Sequence, residues 1–142
     1  MKTPRLSSPH FVRAHRFWTG WFEEPVYSAT VQVCWDVDTK GMESYIARTF
    51  PEYVGAIPRL DPWCAWSLEL SDKQHELYLI CLRKFQWTPD DIGTLAHECL
   101  HTTASMLRSR GLSFNKQTEE AYAYLHDSLV RRCLTEMQKA RR

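Results

Sequence analysis

His97, Glu98 and His101 form an H-E-x-x-H pattern in a chain of 142 residues, and no second cluster of ligand-type side chains accompanies it. Residues four apart on a helix stack on one face, so the two imidazoles can converge on a single ion. Neutral imidazole is a good zinc ligand. Three protein ligands would leave a fourth position for water, whose pKa zinc brings near 7. Glu98, about 100° further round the helix than His97, is placed to take a proton from that water. The pattern therefore predicts one zinc ion per chain and a hydrolytic, peptidase-like site with Glu98 as general base.

The element that must position these residues is the clearest helix in the sequence, predicted over 88–110. Thr88 reads as its N-cap and Pro89 as its first helical residue, with Asp90 and Asp91 in the first turn, where they complement the dipole; Gly111 ends it. Ile92, Leu95, Ala96, Cys99, Leu100, Thr103, Met106 and Leu107 recur at helical spacing and form the expected core stripe. Cys99 and Leu100 then point inward, and the histidines sit on the shoulder. A last helix is predicted over 117–137, with Tyr122, Leu125, Leu129 and Cys133 on one face.

Upstream, 26–85 reads as a sheet region with one helix. Tyr27 to Val37 alternates strictly, which predicts a half-buried strand with Gln32 on its polar side. Asp38 to Gly41 reads as a turn and Met42 to Phe50 as a short helix stopped by Pro51. The proline-containing stretch 51–62 is a loop. Trp66, Leu68 and Leu70, the SDKQ turn and the fully apolar Leu77 to Leu82 predict a hairpin whose second strand is central. In the N-terminal segment 1–22, Phe11, Ala14, Trp18, Trp21 and Phe22 fall at roughly helical spacing, as in a short amphipathic helix.

With 44% apolar and 13% aromatic residues, the chain can bury one core, so 1–142 is expected to be a single domain. Its charged residues nearly cancel to +1, which gives no field to attract nucleic acid or an anionic membrane. No apolar run approaches a membrane span or a signal peptide. Cys34, Cys64, Cys81, Cys99 and Cys133 are odd in number and widely spaced, as in reduced core residues of a cytoplasmic protein.

The stretch TLAHECLHTTASMLRSRG followed by TEEAYAYL resembles zincin metallopeptidases of the gluzincin type, and more closely the small H-E-x-x-H proteins encoded by bacteriophages and bacteria. The resemblance covers Ile92 to Leu134. It implies an α+β zincin-like fold, a mixed or antiparallel sheet packed on the motif helix and followed by a C-terminal helix. It also implies a zinc-dependent metallopeptidase with His97, His101 and Glu120 as ligands and Glu98 as base, acting on a peptide or protein in the host cytoplasm. The metzincin extension is absent, since Ala104 and Leu107 stand where its glycine and third histidine would be. Tyr124 occupies the place of the aspartate that follows the ligand glutamate in thermolysin-like enzymes.

Two points stay open. The resemblance selects Glu120, whereas the helical wheel sets Glu119 on the apolar shoulder with Ala123 and Val130, and Glu120 with Asp127 and Arg131. His75, His126, Tyr122 and Tyr124 are candidate transition-state donors, with none assigned. Two further functions compete with the peptidase: a zincin-like protein that keeps the metal but acts by binding a host partner, and a structural zinc joining the last two helices. The intact Glu98 favours the enzyme, and the short chain favours the binder.

Overall fold

Phe17–Glu24 and Ala29–Trp35 are rich in aromatic and β-branched residues, types that pack well on a pleated surface, and they form the antiparallel centre of a five-stranded sheet. The computed structural model describes residues 8–52, 65–70 and 75–142. Its strands are β1 (His10–Val12), β2 (Phe17–Glu24), β3 (Ala29–Trp35), β4 (Ala65–Glu69) and β5 (Leu77–Leu82). They lie in the order β1-β2-β3-β5-β4, with β3 and β5 parallel and every other pair antiparallel. Among the described residues three helices complete the α+β domain: α1 (Thr39–Thr49), α2 (Pro89–Arg108) and α3 (Glu119–Lys139). None of them is long and apolar enough to cross a membrane.

The sheet is covered on both faces. Val31, Val33, Tyr78, Ile80 and Leu82 pack with residues of α2 and α3, while Phe17, Cys34, Leu77, Leu79 and Cys81 pack with Met42 and Ile46 of α1. Burial on both faces explains why β5 is apolar throughout, as expected of a central strand. It also corrects the half-buried reading of β3. Gln32 lies under α1, where its amide donates to the hydroxyls of Thr19 and Tyr45, so a polar side chain is buried with partners. Val37 joins the α1 side rather than the face of Val31 and Val33, because Asp36 has a φ of 58° and turns the chain over.

The N-terminal segment is also corrected. Residues 10–22 form β1 and most of β2, not an amphipathic helix. Phe17 and Thr19 face the α1 layer while Trp18, Gly20 and Phe22 face the opposite layer, so no polar side remains to reveal a strand. Gly20 disfavours a helix and admits α3: a Cβ there would lie 3.0 Å from Glu136 Cβ. α1 begins three residues before its predicted start, because Asp38 accepts a hydrogen bond from Gly41 N and acts as an N-cap. The 53–64 part of the predicted proline-containing loop, the SDKQ turn at 71–74 and Cys64 fall outside the described residues. The four described cysteines are buried and form no disulfide.

α2 is fastened at both ends. Thr88 and Asp91 make a reciprocal capping box, and Asp91 also accepts from Gln86 N. At the other end the Arg110 guanidinium pairs with Glu76 and donates to the Met106 and Tyr27 carbonyls, tying the helix to the starts of the parallel strands β3 and β5. Hydrogen bonds from Thr88 and Gln86 hold the Asp91 carboxyl below its ordinary 3.8. A depressed folded-state pKa adds stability that is complete above the ordinary value and is lost as pH falls through the folded one. Thr88→Ala is expected to cost about 1 kcal/mol and to lower Tm by roughly 4 °C. Thermal melts at pH 7 and pH 3 check this, the penalty being smaller at pH 3.

Candidate metal centre

Successive residues of α2 are separated by about 100°, which divides its surface among three neighbours. Leu95, Cys99, Thr102 and Met106 face the sheet and are buried. The hydroxyls of Thr102 and Thr103 are satisfied by the carbonyls of Glu98 and Cys99 one turn back, which lets two threonines lie in an apolar interface. α3 covers the adjoining sector: His126 Nε2 donates to the Ala96 carbonyl at 2.9 Å, and Tyr122 Oη donates to the Leu112 carbonyl at 2.8 Å. The remaining sector, bounded by α3 on one side and the edge strand β4 on the other, carries His97 and His101 in solvent.

This orientation differs from the predicted stripe. Ile92 and Leu100, expected in the core, are exposed, whereas Glu98 and Thr102 are buried. The helix is rotated so that the sheet meets the Glu98–Thr102 side, while Ala104 and Ala123 leave a gap beside Leu100 that α3 does not fill. Ala123 is exposed and lines that gap.

The His97 and His101 Nε2 atoms lie 3.0 Å apart, with ring centroids at 4.7 Å. Two nitrogens each 2.0–2.1 Å from a tetrahedral zinc would be about 3.3 Å apart. The pair therefore needs to open by only a few tenths of an ångström, and exposed side chains can do so. In this contact one ring nitrogen donates to the other, the tautomers setting which. Neither Nδ1 has a hydrogen-bond partner among the described residues.

Glu98 is 7% exposed, and helix geometry sets it between the histidines and the sheet-facing side of α2. The third ligand is not assembled with the pair. Among the described residues, no group of three or more His, Cys, Asp or Glu side chains is placed to hold a metal. Glu119 and Glu120 instead line an open groove of about 620 Å³ together with Leu100, Ala104, Phe114, Tyr122, Ala123 and His126.

Of the candidate donors, Tyr122 and His126 are committed to backbone carbonyls that join α3 to the α2 region, and Tyr124 is 72% exposed on α3. One contact near the site escaped the sequence reading. Ser105, one turn beyond His101, donates to the Glu69 carboxylate of β4. The signal available was the i, i+4, i+8 row His97, His101, Ser105, but nothing local paired it with Glu69. With this geometry in view, comparison with protein-family models, curated proteins and solved structures finds no match to the chain.

Proposed function

We infer that the chain is a zinc-dependent metallopeptidase of the zincin type, with His97, His101 and Glu120 as ligands and Glu98 as general base. The observation that carries this reading is the 3.0 Å convergence of two exposed imidazole nitrogens on the turn that also bears the largely buried Glu98. Zinc bound there would polarise a scissile carbonyl and make water acidic enough to ionise near neutral pH.

The chain's own residues supply the remainder. His97 and His101 must carry their protons on Nδ1, which leaves both Nε2 lone pairs free to bind. The Glu98 carboxylate accepts a proton from the attacking water and can return it to the departing amine. β4 pairs only with β5 among the described strands, so its outer edge can take an extended peptide as an added strand. The Ser105–Glu69 hydrogen bond holds that edge against the motif helix. Glu120 reaches the pair only by a change of side-chain and helix-turn geometry at the start of α3. That no three-ligand group forms among the described residues favours the second reading, a zincin-like protein that acts by binding a host partner.

One zinc per chain is expected by elemental analysis, with loss in His97→Ala and in Glu120→Gln but not in Glu119→Gln. Metal absent from wild type removes the proposal. Glu98→Gln is expected to keep its zinc while peptide hydrolysis falls on the order of 10²-fold to 10⁴-fold. If neither protein cleaves any peptide in a broad library yet both hold the same partner, the binding function takes its place.

A further inference from the structure

The groove between α2 and α3 is unusual in what it leaves in water. Leu100 is 50% exposed and Phe114 67% exposed, and they flank small residues, Ala104 and Ala123, that create the space between them. Apolar surface of this kind, gathered into one concavity, marks a contact site more often than a solvated one. Its rim is acidic. Glu119 and Glu120 both face it, and among the described residues neither carboxylate has an ion-pair partner.

That combination selects its occupant by chemistry. An apolar side chain would bury Leu100 but would draw water away from two unpaired carboxylates, at a cost. An acidic or phosphorylated group would be repelled. A side chain with an apolar stem and a cationic head meets both requirements, because the stem can lie on the alanines while the head remains at the rim. Arginine suits it better than lysine. A planar guanidinium can take a carboxylate side-on and stack on an aromatic ring, and Phe114 stands edge-to-face with Tyr122 at 5.1 Å with much of its ring exposed.

We propose that this groove is a specificity pocket for an arginine side chain of a peptide. The stem lies on Leu100, Ala104 and Ala123, and the guanidinium sits between the Glu119 carboxylate and the Phe114 ring. The identity of the ligand as a substrate rests on the peptidase reading, because Leu100 lies immediately before His101 on α2 and Glu120 is assigned there to the metal. The binding itself does not depend on that reading.

The test uses the full-length Glu98→Gln protein, which prevents turnover, and a fluorescein-labelled peptide, Gly-Ala-Leu-Arg-Leu-Ala-Gly amide. Its partner peptide carries citrulline in place of arginine, which keeps the shape and removes the charge. Arginine is expected to bind about tenfold more tightly than citrulline, the sum of an exposed ion pair and a cation–π contact. The discrimination should shrink to about twofold when Glu119→Gln or Phe114→Ala is added, and weaken with salt.

Equal affinity for the two peptides, no binding at about 1 mM peptide, or undiminished discrimination in Glu119→Gln would each overturn the proposal. Loss of zinc in Glu119→Gln would overturn it as well, by assigning that carboxylate to the metal. Arginine discrimination in a protein that holds no zinc and cleaves nothing keeps the pocket while removing the peptidase. Zinc-dependent cleavage without discrimination does the reverse.

Discussion

The rotation of α2 about its own axis fixes the environments of Glu98, His97 and His101 together, because the three side chains share one turn and cannot be repositioned separately. Had the helix presented Leu100 to the sheet, as its hydrophobicity alone suggests, Glu98 would be solvated and the histidines would be turned away from β4 toward α3. The observed rotation buries Leu95, Cys99, Thr102 and Met106. It is held by the capping box at Thr88 and the Arg110 contacts at the far end, both fixed to strands or strand-linked loops. Sealing the helix on one side is what allows two imidazoles to remain exposed on another at 3.0 Å.

The parts of the fold legible in the sequence are those set by local chemistry. Thr88, Pro89 and Asp91 define the start of α2 because a cap, a fixed φ and a reciprocal hydrogen bond are all made within four residues. β5 was legible as a central strand from its unbroken apolar run, and α3 from the spacing of Tyr122, Leu125, Leu129 and Cys133. What failed was everything decided by a second layer. β2 carries apolar residues on both faces because helices cover both, so Trp18, Trp21 and Phe22 fit a helical period as well as a strand. Gln32 looked solvent-facing until α1 supplied Tyr45 as its partner.

The candidate site divides along the same line. The pairing of His97 with His101 follows from helix geometry alone, and the structure brings their nitrogens together. The burial of Glu98 and the bond from Ser105 to Glu69 depend on how far β4 and β5 lie from the helix, which no local pattern encodes. Residue spacing leaves Glu119 and Glu120 undecided, and the arrangement of α3 does not bring either carboxylate to the histidines.

That last feature has a structural cause at the beginning of α3. Thr118 occupies the N-cap position without making a side-chain cap; its hydroxyl donates to the Ser113 carbonyl, and Asn115 organises the loop around it. The turn bearing Glu119 and Glu120 is therefore fastened to the preceding loop rather than to α2. Firm contacts between α3 and the α2 region come later in the helix or reach only the loop beyond it: His126 to Ala96, Tyr122 to Leu112. A helix whose first turn lacks its own cap can shift that turn at less cost than one closed by a capping box. Under the proposed function, this asymmetry places the adjustable carboxylate on α3 and the fixed imidazoles on α2. The groove between them then lies where an incoming side chain would meet the movable turn.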